Sequence, residues 1–243
     1  IRGHLHHESI EAQMREFDED DLTARKGGAY LHLSGAVYKK FDESIHVISA
    51  LTKYHRECMT SGHYNIINVV DPHPRKPFAI GWYYVFPKVD VICFAEFPDD
   101  TYPPFHKIKS GDFSTEDYAD MQLESEKSFG IPVTARWMDP NMGNSPDSTG
   151  GNTIRQVFAK KGLYYQDPID NLVNGHQAVK SLLGNPAKGI RSQIYFMDWC
   201  HNHIFGMRNY GWKKQKAGVS ELPELEFKDF PDLVRYGAMS GFR

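Results

Sequence analysis

Residues 64–74 read YNIINVVDPHP, an apolar and β-branched run that stops at Asp71 and two prolines. Such a run predicts a buried β-strand, and the Asp-Pro-His-Pro segment predicts the turn that ends it. Two further strands are expected over 78–86 and 89–96. The connection between them is so short that they must run antiparallel. The sequence therefore predicts three leading antiparallel strands, with an aspartate at the end of the first.

Beyond residue 97 the pattern changes to helices that alternate with strands. Ser114 with Asp117, and Thr153 with Gln156, have the spacing of capping boxes and predict two helix starts. This order predicts a mixed α/β sheet covered by helices. The remaining predicted elements are strands at 132–138 and 194–197, an amphipathic helix around 169–183, a helix over 198–212, a basic loop at 213–216 and a closing helix near 229–239.

Composition limits the function classes. The chain has 243 residues, with 28 Lys and Arg against 31 Asp and Glu, so its formal net charge is −3. This balance excludes a protein drawn onto nucleic acid by bulk charge, although it permits a local basic patch. Three widely separated cysteines argue against a disulfide framework. No apolar run approaches the roughly 18 residues of a membrane-spanning helix, so no membrane contact is expected.

Four aspartates lie at the ends of predicted elements. Asp71 ends the first strand, Asp139 ends the strand at 132–138, and Asp229 and Asp232 begin the closing helix, where Asp229 is expected as the N-cap. Side chains at strand ends converge beyond the sheet, and carboxylate oxygens are the ligands that Mg²⁺ and Mn²⁺ prefer. Two ions about 3.5–4 Å apart would suit a phosphoryl displacement. Each aspartate alone is more simply explained as a turn former or helix cap, and only the four together favour a metal site.

The same segments resemble the nuclease domain of bacteriophage large terminases, the DNA-packaging motor proteins. The resemblance extends over roughly residues 27–237, and its motifs are Val69-Val70-Asp71-Pro72-His73, Trp137-Met138-Asp139 and the run from Lys228 to Tyr236. It implies an α/β fold of the ribonuclease H/integrase type. Such a fold has a mixed sheet of three antiparallel leading strands followed by parallel strands, with helices on both faces.

The resemblance also implies a function. Asp71, Asp139 and Asp232 would be catalytic metal ligands for two Mg²⁺ or Mn²⁺ ions, with Asp229 as a further, accessory ligand. The protein would be an endonuclease that cuts concatemeric double-stranded viral DNA during genome packaging in the cytoplasm of the infected bacterium. Portal protein and the small terminase subunit would be its partners in the full motor.

A domain division follows from the same resemblance. No phosphate-binding Gly-x-x-x-x-Gly-Lys-Ser/Thr loop occurs in the sequence, and the first residue is Ile. We therefore expect residues 1–60 to be a linker from an ATPase domain that the sequence lacks, and residues 61–243 to be the nuclease domain.

Other residues are weaker candidates. Glu96 ends the third strand and His73 closely follows Asp71, so both are considered accessory to the site. Contacts to DNA phosphates are expected from basic residues, although ordinary solvated side chains explain them equally well. These residues are Arg155, Lys160, Lys161, Lys213, Lys214 and Lys216.

Two alternative functions remain open at this level. One is a resolvase-like or transposase-like nuclease of the same fold, which would need a way to recognise branched DNA or DNA ends. The other is a non-catalytic docking domain for the portal or the small terminase, with the acidic run at 8–21 as its interface.

Overall fold

A computed structural model describes residues 35–87, 90–99, 112–130, 132–147, 150–215 and 218–242. The acidic run at 8–21, most of the predicted linker and Lys216 lie outside the described residues.

The strands form a six-stranded mixed sheet and a separate hairpin. The strands are β1 (Val47–Ile48), β2 (Asn65–Asp71), β3 (Ala79–Phe86), β4 (Asp90–Phe97), β5 (Ala135–Met138), β6 (Ile194–Met197), β7 (Trp212–Gln215) and β8 (Gly218–Pro223). Within the sheet the order is β1-β6-β4-β3-β2-β5. Strands β2, β3 and β4 are antiparallel neighbours, whereas β5 runs parallel to β2 and β6 runs parallel to β4. The predicted arrangement of three antiparallel strands followed by parallel ones is confirmed.

Helices pack on both faces of this sheet, as predicted. The helices are α1 (Glu43–His46), α2 (Lys53–Thr60), α3 (Thr115–Phe129), α4 (Pro140–Gly143), α5 (Ile154–Lys160), α6 (Leu172–Leu183), α7 (His201–Asn209) and α8 (Asp229–Ser240). Successive side chains of a strand point to opposite faces. Asn68 of β2 accepts a hydrogen bond from Gln122 of α3, whereas its neighbour Ile67 lies against Gly241 at the end of α8. Helices α3 and α8 therefore cover opposite faces.

Local caps explain where two helices begin. Ser114 and Thr153 each accept a hydrogen bond from a backbone N–H three residues on, and Asp117 and Gln156 return the bond to the cap backbone. Both predicted capping boxes are confirmed.

Several elements differ from the predictions, among them the helices α1, α2 and α4, which were not predicted. Strand β1 was not predicted, since two residues show no periodicity and only pairing with β6 makes them a strand. The helix predicted over 198–212 is confined to His201–Asn209, and residues 213–215 of the predicted basic loop belong to β7, which pairs with β8. In these places pairing with a distant or following segment overrides the local pattern.

The described part of residues 1–60 shares the core of the following residues. Val37 and Tyr38 are buried in that core, Ala36 forms a bridge with Gly211, and β1 belongs to the main sheet. Residues 36–60 are therefore built into the same folded unit as the rest of the described chain.

His176 of α6 lies in a box of aromatic side chains. Its ring makes edge-on contacts with Tyr38, Tyr210 and Trp212, and its Nε2 is buried without a hydrogen-bond partner. Burial, assisted by the nearby charge of Arg235, lowers the pKa of His176 to about 4. The ring is therefore neutral in the folded protein at neutral pH.

This burial predicts a specific loss of stability in mild acid. The unfolded chain takes up a proton at His176 near pH 6.5, but the folded chain takes it up only near pH 4. The contribution of His176 to the free energy of unfolding is therefore fully present above about pH 6.5. About 3 kcal/mol of that free energy is lost as the pH falls towards 4. We expect His176→Phe to flatten the profile of urea midpoints between pH 7 and pH 4.5. The exposed-residue control His63→Gln should leave the wild-type slope, and an unchanged slope in His176→Phe would contradict this assignment.

Candidate functional site

Four buried aspartates meet at one edge of the sheet. Asp71 is the last residue of β2, and Asp139 directly follows the parallel neighbour β5, with its backbone N–H bonded to the Val70 carbonyl at 3.0 Å. Asp229 and Asp232 lie in the first turn of α8, which packs on β2. The four residues are only 4–7% exposed. Parallel pairing of β2 with β5 brings the first two carboxylates to the same sheet edge, as the sequence predicted.

Lys228 lies among three of these carboxylates. Its Nζ is 3.1 Å from Asp232 Oδ2, 3.5 Å from Asp71 Oδ2 and 3.9 Å from Asp229 Oδ1. A single ammonium group thus lies close to a carboxylate at a strand end and to two carboxylates at a helix start. Lys228 belongs to the closing motif, but the sequence pattern alone indicated no role for it.

Two further cations hold the aspartates of α8. Lys76 Nζ donates to Asp229 Oδ2 at 3.0 Å. Arg235 Nε donates to Asp232 Oδ1 at 2.9 Å, and the same guanidinium pairs with Asp170 at 2.6 Å. Lys76 was not predicted as a site residue, because only its position in the fold, not its local sequence, connects it with Asp229.

Asp139 is held through both of its carboxylate oxygens. The Tyr236 hydroxyl of α8 donates to Oδ2. The backbone N–H of Met142 donates to Oδ1 at 2.7 Å, so Asp139 is also the cap of α4. A helix cap and a contact with α8 therefore fix this carboxylate at the same time.

The electrostatics of the site follow from burial and mutual repulsion. Burial raises the pKa of Asp71 well above its ordinary value, and the charges of Asp232, Asp139 and Asp229 add to this effect, against the opposing charge of Lys228. Burial alone would lower the pKa of Lys228, but the surrounding aspartates outweigh it and raise that pKa. The cluster therefore favours a bound cation strongly.

The donor set fits a divalent ion in its chemistry. Carboxylate oxygens are the preferred ligands of Mg²⁺ and Mn²⁺. Asp229 Oδ1 is buried and has no hydrogen-bond partner, and the Lys228 ammonium faces it at 3.9 Å. Across the residues that the structure describes, however, no three His, Cys, Asp or Glu side chains are grouped closely enough to hold an ion. In this arrangement the ammonium group of Lys228 lies among the carboxylates.

The expected N-cap of the closing helix was wrong. Lys228 occupies the N-cap position, with φ −78° and ψ −24° and no side-chain cap bond, so Asp229 is already the first helical residue. The carboxylate of Asp229 is engaged by Lys76 instead of by the backbone of the first turn. Its position at the helix start still favours a negative charge.

Glu96 contributes to a different cluster. Its oxygens accept hydrogen bonds from the Asn202 N–H at 2.7 Å and the His203 N–H at 3.0 Å, and His203 Nδ1 lies 2.6 Å away. Glu96 therefore anchors the start of α7, and its described contacts are with that helix and not with the aspartate cluster. The strand-end position was correct, but the helix that follows β6 engages the side chain.

His73 stabilises the turn after β2. Its Nδ1 accepts hydrogen bonds from the backbone N–H groups of Arg75 and Lys76, both at 3.0 Å. This turn places Lys76 beside Asp229.

The predicted DNA-contact residues that the structure describes belong to two elements, α5 with its C-cap and β7. Arg155 lies beside the end of β5, 3.4 Å from the Met138 carbonyl, and pairs with Asp167. Lys161 pairs with Asp120 of α3 at 2.8 Å. Contact of these basic side chains with DNA stays a prediction. The others that the structure describes are Lys160, exposed at the end of α5, and Lys213 and Lys214 of β7.

Solved structures of other proteins share this architecture. No protein-family model matches the sequence, and no curated protein matches it. Among solved structures, a large terminase from a thermophilic bacteriophage aligns with a TM-score of 0.71 at 15% identity, over 97% of this chain and 52% of that chain. The P22 large terminase nuclease domain aligns with a TM-score of 0.58 at 13% identity, over 85% of this chain and 92% of that one. The chain has the fold of a large terminase nuclease domain.

The predicted ribonuclease H-like fold is thereby confirmed. The chain spans about half the length of the first of these terminases. The large terminase nuclease from thermophilic phage G20c with bound magnesium also aligns, with a TM-score of 0.50 at 9% identity, over 84% of this chain and 96% of that one.

Gly175 of α6 packs closely against Arg235, the residue that holds Asp232. A Cβ atom on Gly175 would lie 2.5 Å from Arg235 Cγ and 2.8 Å from its Cδ. A helical Gly→Ala change normally stabilises by about 1 kcal/mol. Here we expect Gly175→Ala to destabilise by about 1–3 kcal/mol, because Arg235 must leave its partners. Urea unfolding measures the difference. The exposed neighbour Asn174→Ala is the control, and a stabilised Gly175→Ala would refute the packing argument.

Proposed function

We propose that this protein is a metal-dependent endonuclease that cleaves double-stranded DNA by phosphodiester hydrolysis. The observation that supports it best is the cluster of four buried aspartates from β2, β5 and α8, at one sheet edge in a fold shared with large terminase nuclease domains. Gathering like charges in a buried place costs free energy, and such a cost is typical of sites with a function rather than of purely structural clusters.

Each aspartate has a proposed part. Asp71, Asp139 and Asp232 would hold two Mg²⁺ or Mn²⁺ ions, and Asp229 would contribute Oδ1, which has no hydrogen-bond partner, as an accessory ligand. Such ions, when bound, stabilise the negative charge that develops on a phosphodiester undergoing hydrolysis. The magnesium of the G20c nuclease structure is consistent with this choice of ion.

The chain itself provides orientation. Tyr236 fixes one oxygen of Asp139 while the Met142 N–H fixes the other, and Arg235 holds Asp232. Because β2 and β5 are paired strands of the main sheet, the carboxylates project from a rigid frame. Fixed ligands of this kind reduce the reorganisation needed when substrate binds.

The DNA is proposed to bind through its phosphates, without reading base edges. The net charge of −3 predicts weak affinity for the isolated chain. A covalently linked ATPase that grips DNA would compensate by raising the effective concentration. The candidate contacts are Arg155, Lys160, Lys161, Lys213, Lys214 and Lys216.

The biological setting is proposed by analogy with the terminase structures. The substrate would be concatemeric viral DNA during packaging in the host cytoplasm, with portal protein and small terminase as partners. Residues 1–60 would connect to the ATPase domain, with 36–60 packed against the nuclease domain at 61–243. In the described part of the chain, no helix has the length and apolar character needed to span a membrane.

The two alternative functions have less support. A resolvase-like enzyme shares the fold class, but the matches described above are to terminases. A docking domain does not require four buried aspartates, since a docking interface depends on groups that a partner can reach.

The central experiment measures cleavage of supercoiled plasmid in the presence of Mn²⁺. We expect Asp71→Asn and Asp139→Asn to lower the cleavage rate at least about 100-fold, because each removes a charged ligand. Asp198→Asn is the matched control, since Asp198 also follows a strand but is exposed. Cleavage that survives EDTA, or that survives both substitutions, would rule out the proposed mechanism.

A second prediction concerns orientation of Asp139. Tyr236→Phe removes the hydrogen bond to Asp139 Oδ2 while it keeps the ring. We expect the Mn²⁺ concentration for half-maximal cleavage to rise about tenfold or more, as for other residues that orient a metal ligand. Tyr195→Phe, which removes a hydroxyl bonded to the Ser192 carbonyl, should leave it unchanged. Equal metal dependence in both variants would show that Tyr236 does not position Asp139.

A further inference from the structure

We propose that Lys228 is a built-in counter-cation, which occupies the cation position of the aspartate cluster in the metal-free protein and is displaced when a divalent ion binds. The proposal rests on the function proposed above and goes beyond it, since it gives this chain its own means of setting metal affinity.

The geometry of Lys228 carries the proposal. Its Nζ lies within 3.1–3.9 Å of carboxylate oxygens of Asp71, Asp229 and Asp232, which are three of the four proposed metal ligands. A metal ion bound by those carboxylates would have to take the space that this ammonium fills. Lysine and metal ion therefore compete for the same three carboxylates.

The helix position of Lys228 is a second observation. Lys228 is the N-cap of α8, where Ser, Thr, Asp or Asn is preferred and where the helix dipole disfavours a positive charge. It makes no capping bond there. A lysine at this place is unfavourable for the helix, and its contacts with the carboxylates explain its presence.

Lys228 differs from the other cations of the site in the number of carboxylates that it contacts. Its side chain is 25% exposed, so the ammonium can swing towards solvent. Arg235 is only 4% exposed and is held by both Asp232 and Asp170. Lys76 is more exposed, at 38%, but it binds a single carboxylate of the cluster, that of Asp229. Lys228 is therefore the cation whose departure removes a positive charge from three carboxylates at once.

The test compares Mn²⁺ binding by isothermal titration calorimetry for wild type, Lys228→Gln and Lys228→Arg. We expect Lys228→Gln to bind Mn²⁺ at least about tenfold more tightly, because no internal charge competes for the carboxylates. Lys228→Arg, which keeps the charge, should bind no more tightly than wild type. Lys53→Gln, at a site 87% exposed on α2, is the control for loss of one positive charge.

Thermal unfolding gives a readout independent of activity. Without metal, Lys228→Gln should melt below wild type, since its carboxylates lose their counter-cation. Mn²⁺ should then raise its melting temperature by more than it raises that of wild type. Equal or weaker Mn²⁺ affinity in Lys228→Gln than in wild type would overturn the proposal.

NMR of the wild type keeps the proposal testable even where Lys228→Gln does not fold. The Lys228 side-chain ¹⁵Nζ resonance, identified by its loss in Lys228→Arg, should move towards that of an exposed lysine as Mg²⁺ is added. A resonance that stays fixed while calorimetry shows Mg²⁺ binding would refute displacement.

Plasmid cleavage by wild type, together with unchanged metal affinity in Lys228→Gln, would refute this inference alone. Tighter metal binding by that variant without any cleavage by wild type would refute the nuclease function alone.

Discussion

Repulsion among the four buried aspartates is the constraint around which the site is built. Buried carboxylates at one sheet edge favour protonation or a nearby positive charge, and the rise in the pKa of Asp71 expresses that cost. Three cations and one hydroxyl offset the repulsion: Lys76, Lys228, Arg235 and Tyr236. All of these except Lys76 belong to α8 or its cap, as do Asp229 and Asp232. The placement of α8 therefore determines the site.

The placement of α8 depends on a second buried network. The Tyr83 hydroxyl lies 2.6 Å from His203 Nε2, and His203 Nδ1 lies 2.6 Å from Glu96. These contacts tie β3 and β4 to α7. Helix α7 then meets α8 where Gly206 lies against Pro231, at a point where a Cβ would be 2.7 Å from the proline ring. The sheet thus positions the cluster in two ways, directly through β2 and β5 and indirectly through α7.

The local sequence predicted secondary structure correctly where a local interaction decides it. The apolar run before Asp71 forms β2, and the capping boxes at Ser114 and Thr153 begin α3 and α5. It failed for β1 and for the hairpin β7–β8, where strand pairing decides the structure. It did not indicate the partners of Glu96, because a strand-end carboxylate looks the same whether it faces a site or the start of a helix.

The sequence by itself determined most strand and helix types, the positions of four aspartates at element ends, and the resemblance that relates them. Periodicity, capping and turn residues act over a few positions along the chain, so they can be recognised in the amino-acid sequence alone. Only the tertiary structure decided which charges meet. Lys76 reaches Asp229 across 153 positions, and Lys228 reaches Asp71 across 157. Such contacts depend on the packing of α8 against β2, because Coulomb interactions depend on distance in space and not on separation along the chain.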